Sequence, residues 1–151
     1  MDIKGGEVKF DDFKKKVEAV IVSRLNLIGQ EGTKHARLIP KDIGYEDQTG
    51  NLRSSTGYAV GVGEVVNTQF EKVRGKEPSN VEGTEVGRSV AEEGVRKYKI
   101  PALTITAGME YASELEARGR DVLTSTYFKV KNELPGHLKE LKENIRWYLK
   151  R

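Results

Sequence analysis

From Asp11 to Ile28 apolar residues return at helical spacing: Phe13, Val17, Val20, Ile21, Leu27 and Ile28 fall three or four positions apart, with Arg24 in the same series. Asp11 and Asp12 stand where a helix dipole favours negative charge, so the pattern predicts a helix that starts there. Its second half is apolar on more than one side. Val20, Ile21, Val22, Leu25, Leu27 and Ile28 spread further round the helix than a single stripe requires. Such a helix has two things to pack against, and a small domain offers one core. Either a neighbouring copy of the chain supplies the second surface, or the helix is buried deeply in its own domain; the residues leave both open.

Gly29 to Gly50 is polar and rich in breakers, among them Gly32, Pro40 and Gly44, and reads as a long connection of the kind that is functional or orders on a partner. Thr49-Gly50-Asn51 reads as a turn ending in a helix cap, Asn51 bonding free backbone N–H groups and Leu52-Arg53-Ser54-Ser55 forming one helical turn. From Gly57 to Val66 the period changes to two. Tyr58, Val60, Val62 and Val66 share one face of the predicted strand, and Gly57, Ala59, Gly61 and Gly63 the other. A face that bare admits another backbone at close range, from a helix or from a neighbouring subunit. A second strand is predicted over Ala102–Met109, where Leu103, Ile105, Ala107 and Met109 alternate with small and hydroxylic residues.

Between the strands, Asn67–Lys99 reads as a charged insertion that holds a disorder-prone loop at Gly75–Asn80 and a weak helix from Thr84 to about Tyr98. Gly87 and Gly94 each disfavour that helix by about 1 kcal/mol relative to alanine. In the last third, Leu123, Tyr127, Val130, Leu134, Leu138, Leu141, Ile145 and Leu149 keep three- or four-residue steps, in phase across Pro135-Gly136. That predicts one long helix kinked at the proline, or two nearly collinear ones. The fold expected is a single α+β domain over 1–151, with a long N-terminal helix and a long kinked C-terminal helix packed on a small antiparallel sheet. A third strand would come from the insertion or from Tyr111–Leu115.

Composition narrows the function. Of 151 residues, 36% are hydrophobic and 32% charged, so the core is modest and the wetted or interfacial surface large. The 26 basic and 23 acidic residues are interleaved, and the densest basic run, Lys14-Lys15-Lys16, is flanked by Asp11, Asp12 and Glu18, as on the solvated face of a helix. A nucleic-acid-binding module remains the alternative reading, favoured by the pI of about 9.0. The absence of cysteine excludes a disulfide framework, cysteine-ligated zinc and a thiol nucleophile. Neither a membrane span nor a signal peptide is expected. His35 and His137 lie far apart, and neither is read as having a metal-ligand partner at helical spacing. No metal, cofactor or catalytic residue is therefore expected, and a small metal-dependent nuclease ranks last.

Two segments together resemble the neck, or minor tail-component, family of long-tailed double-stranded-DNA bacteriophages. One is Thr49-Gly50-Asn51-Leu52-Arg53-Ser54-Ser55 leading into the strand at Gly57. The other is Ala107-Gly108-Met109-Glu110-Tyr111-Ala112, continuing through Leu115-Glu116-Ala117-Arg118-Gly119 to Asp121-Val122-Leu123. Both lie in the family's order, between two long helices, and the chain departs from it at Glu114 and Arg120, where similar sequences often carry an aromatic residue, and in the Asn67–Lys99 insertion, which is larger than a minimal member needs. The resemblance implies a virion protein assembled in the bacterial cytoplasm, a homo-oligomeric ring at the head–tail junction through which DNA passes. Its neighbours would be the portal-side head-completion proteins and the tail-terminator or tail-tube proteins, and its contact with DNA at most weak. The structural residues expected to matter are Leu52 as an anchor of the capped turn, Arg53 as a carboxylate partner, and Tyr111 and Ala112 at a corner. Gly119 would permit a backbone turn, and the first helix with the Gly29–Gly50 loop would supply the subunit contacts.

Overall fold

A computed structural model describes residues 3–76 and 81–150, with side chains of 10–76 and 82–150. The elements are α1 (Ile3–Arg37), α2 (Asn51–Ser54), β1 (Thr56–Val62), β2 (Glu64–Gln69), α3 (Val81–Arg96), β3 (Pro101–Ala107), α4 (Ala112–Ala117) and α5 (Thr124–Leu149). The three strands form an antiparallel sheet in the order β2-β1-β3, with Tyr58 opposite Ile105 and Val60 opposite Leu103. The fold is α+β, the two long helices packed with the sheet as the periodicity predicts.

Period two assigns the two faces of the sheet. Tyr58 and Val60, fully buried, face α1 together with Leu103 and Ile105. The Tyr58 hydroxyl meets Asn26 Oδ1 at 2.8 Å, which satisfies the polar end of a buried ring. The opposite face is the bare one, and α3 covers it: Ala59 packs with Ala91 and Val95, flanked by Val65 and Phe70. α5 in turn lies along α1 and borders β3 through Tyr127 and Val130, so the two long helices share the side of the sheet opposite α3.

Several expectations need correction. The first helix does not begin at Asp11 or end at Ile28, so Asp12 pairs with Lys16 at 3.2 Å inside the helix and does not serve its first turn. Gly29 and Gly32 belong to that helix because they let it approach the sheet. A Cβ at Gly29 would stand 2.6 Å from the Tyr58 ring, and one at Gly32 would stand 2.7 Å from Ile105. The connection is thus only 38–50. The strand predicted over Gly57–Val66 is a hairpin that turns at Gly63, whose φ of 70° suits glycine, and its second arm is the third strand. Finally, the segment 67–99 is integral to the fold, since it completes β2 and supplies α3; of its loop at Gly75–Asn80, residues 77–80 lie outside the described residues. Tyr111–Leu115 is not a strand but the entry to α4, and α5 runs as one helix through Pro135.

Candidate functional site

The two segments that carry the resemblance are some fifty positions apart and meet in one knot. Leu52, Ala112 and Val122 are buried together with Tyr45, and Ala107, Met109, Leu115 and Leu123 pack round them. Leu52 is 1% exposed, which makes it the central apolar group of the cluster. An open cleft of about 870 Å³ lies against this knot, bordered by Tyr45, Asp47, Met109 and half-exposed Tyr111.

Polar groups fasten the knot. Gly50, at a φ of 80°, precedes α2, and the cap is a carboxylate: Asp47 Oδ1 accepts from the Gly50 N–H at 3.0 Å and Oδ2 from the Arg53 N–H at 2.8 Å. Asn51 does not cap its own helix as expected. Its Oδ1 accepts from the Gly83 N–H at 3.0 Å and so caps α3, which joins the first segment to the 67–99 segment.

Among the described residues, Arg53 pairs with no carboxylate group of its own chain. Its guanidinium donates to the carbonyls of Arg37 and, at 2.9 Å, Ile39, and lies 4.8 Å from the centroid of the Tyr45 ring. Arg37 answers by donating to the Arg53 carbonyl at 2.7 Å and the Glu71 carbonyl at 2.9 Å. The two arginines thus close the C-terminus of α1 onto α2, where a cation complements the helix dipole. Burial pushes the Tyr45 hydroxyl up to about 12, against the pull of the Arg53 charge.

At the second corner Gly119 takes a φ of 78°, which ends α4 and lets the chain turn. Glu116 then accepts three backbone N–H groups, from Val122 at 3.0 Å, Leu123 at 2.6 Å and Thr124 at 3.1 Å, and the Thr124 hydroxyl at 2.6 Å. Partial burial opposes its charge, but these donors outweigh it and hold the carboxyl below its ordinary value. Of the two charged residues that depart from the family, Arg120 donates to the Asp42 carbonyl at 3.1 Å, and Glu114 pairs with Arg118 on the surface.

The candidate interface residues of α1 divide. Ile28 is buried, Val20, Ile21, Val22 and Leu25 are half-buried, and Leu27 is exposed. The helix is apolar on two sides because the chain itself supplies two partners. Val20 and Leu27 border a groove shared with Trp147 and Tyr148 of α5, and Val22 borders one shared with Val60, Val62 and Val66 of the sheet. Most of the uncovered apolar surface is elsewhere. On α5, Tyr127, Leu134, Leu138, Trp147 and Leu149 are all exposed, and the only buried residue described on that helix is Thr126. Periodicity located this stripe but could not tell that α1 covers only one side of it.

The histidines also need revision. His35 Nδ1 meets the Thr126 hydroxyl at 2.8 Å, which ties α1 to α5. His137 does have a potential ligand at helical spacing, Glu133 one turn earlier, and Glu31 of α1 joins them, the donor atoms of all three lying within 4.8 Å of one another. Among the described residues, no helix is long and apolar enough to cross a membrane. No family model, no curated protein and no solved structure matches the chain.

Proposed function

We propose that this chain is a non-catalytic structural subunit of a tailed bacteriophage, assembling with its own copies into a ring at the head–tail junction through which DNA passes. The observation that carries the self-assembly is the α5 stripe. Tyr127, Leu134 and Leu138 repeat on one helical face and stay 39–60% exposed, and Leu149, also exposed, returns to that face at the end of the helix. A monomer rarely leaves so continuous an apolar surface in water, whereas repeated modest interfaces in a closed ring would cover it. The neck assignment is supported by the resemblance of the two segments, whose residues share one fastened core in this fold.

Sedimentation velocity over a wide concentration range tests the assembly: the wild-type chain is expected to associate, and a Leu134→Glu, Leu138→Glu double variant to remain monomeric with unchanged helicity. A wild-type chain that stays monomeric throughout counts against it. Imaging of the particle that carries the chain tests the place, and the proposal requires a ring of density between portal and tail; density for it elsewhere, or none at the neck, overturns the reading.

A further inference from the structure

We propose that Glu31, Glu133 and His137 form a binding site for one divalent transition-metal ion that clips α1 to α5. Glu133 and His137 are one turn apart on α5 and therefore project from the same face, and Glu31 faces them from α1. The donor set is one imidazole nitrogen and two carboxylate oxygens. That mixture suits zinc and its first-row neighbours, whereas calcium and magnesium prefer oxygen alone.

An ordinary ion pair explains the cluster poorly. His137 is only 15% exposed, yet Nε2 stands 3.9 Å from Glu31 Oε2, beyond hydrogen-bond range, and neither ring nitrogen has a hydrogen bond among the described residues. A half-buried imidazole is thus held in a gap between two carboxylates without being satisfied by either. The carboxylates approach each other as like charges, and Lys129, paired with Glu133, offsets only one of them. A cation with metal–ligand bonds of about 2.0–2.2 Å would bridge such a gap after small side-chain rotations. The site is open to solvent, since Glu31 and Glu133 are 47% and 44% exposed, so water would complete the coordination. The clip would fix the length over which α1 covers α5, and it does not depend on the assembly proposed above.

Calorimetric titration of the tag-free 151-residue chain with Zn²⁺, paralleled by Co²⁺ absorption, tests the site. One saturable equivalent is expected, with a rise in Tm of about 5–10 °C at a hundredfold excess over Kd. Glu133→Gln and His137→Gln should each weaken binding at least about tenfold, and Lys129→Ala should strengthen it by removing the competitor for Glu133. His35→Gln should leave it unchanged, because that ring is engaged with Thr126. Glu133 lies on an exposed helix surface, so its variant keeps the test valid if the His137 variant misfolds, with circular dichroism as the check. The proposal fails if the folded chain takes up neither ion saturably at about 1 mM, or if Glu133→Gln binds as well as wild type.

Discussion

Asn51 is a surface-type residue held at 9% exposure because its side chain does the work of another helix. Its amide oxygen satisfies the Gly83 N–H, one of the unpaired donors at the start of α3. Asn51→Ala removes the cap and leaves a buried donor without a partner, so it is expected to destabilise the chain by about 2 kcal/mol. Urea denaturation should show a lower midpoint with an unchanged slope, and a midpoint equal to wild type would refute the role. Glu116 makes a prediction of a different kind. Its carboxyl is held below the ordinary value of 4.5 in the folded state, so its contribution is complete above that pH and is lost as the pH falls through the lower, folded value. Thermal melts between neutral pH and pH 3 should therefore show wild type losing its advantage over Glu116→Gln as the solution is acidified. Parallel curves would mean that the four donors round Glu116 add nothing in solution.

Glycine decides how much of each element could be read in advance. In α3, a Cβ at Gly87 would lie 2.3 Å from the Ser55 carbonyl oxygen, and one at Gly94 2.5 Å from Thr104. In α5, a Cβ at Gly136 would meet nothing within 4 Å. Gly136→Ala is therefore expected to stabilise by about 0.5–1 kcal/mol through helix propensity. Gly87→Ala, despite the same gain, should destabilise by roughly 1–3 kcal/mol, because backbone cannot yield as a side chain does. Denaturant melts of the two variants should shift in opposite directions, and shifts of the same sign would show that α3 does not sit tight on β1. The same contrast explains what the sequence reveals. Leu103 and Ile105, Tyr58 and Val60, and the α5 series repeat at the period of their elements, so β3, α5 and the course of β1, though not its turn at Gly63, were legible from pattern alone. Gly29, Gly32 and Gly87 carry the opposite meaning once packed, since whether a glycine breaks a helix or seats it depends on what faces it. The candidate site divides the same way: the spacing of Glu133 and His137 was available in the chain, but the arrival of Glu31 depends on the register between α1 and α5, which no local pattern encodes.

At the scale of the whole molecule, charge bears on what the ring would do to DNA. The chain carries 26 basic and 23 acidic residues, and some of the cations sit against a carboxylate. Lys16 pairs with Asp12, Arg96 with Glu92, Arg118 with Glu114 and Lys129 with Glu133, each one turn apart, while Arg24 reaches Glu140 across helices at 2.7 Å. Exposed pairs of this sort add little stability, about 0–1 kcal/mol each. Their larger effect is on the field, because a cation whose partner is only angstroms away presents little potential beyond a Debye length of about 8 Å. Duplex affinity comes from releasing counterions from several phosphates at once, which needs unpaired cations lined up along one face. Arg37 and Arg53, which could have joined such a line, are spent on backbone carbonyls. Fluorescence anisotropy with a labelled duplex is thus expected to show weak binding whose logarithm falls with the logarithm of salt at a slope of about one phosphate or less. A slope of several phosphates would move the chain into the nucleic-acid-binding class and would be hard to combine with a passage, since a conduit that grips the duplex opposes its movement. In the proposed ring, near-balanced charge on the subunit and apolar surface on one helix would be complementary requirements: the copies would hold one another while the genome slides past.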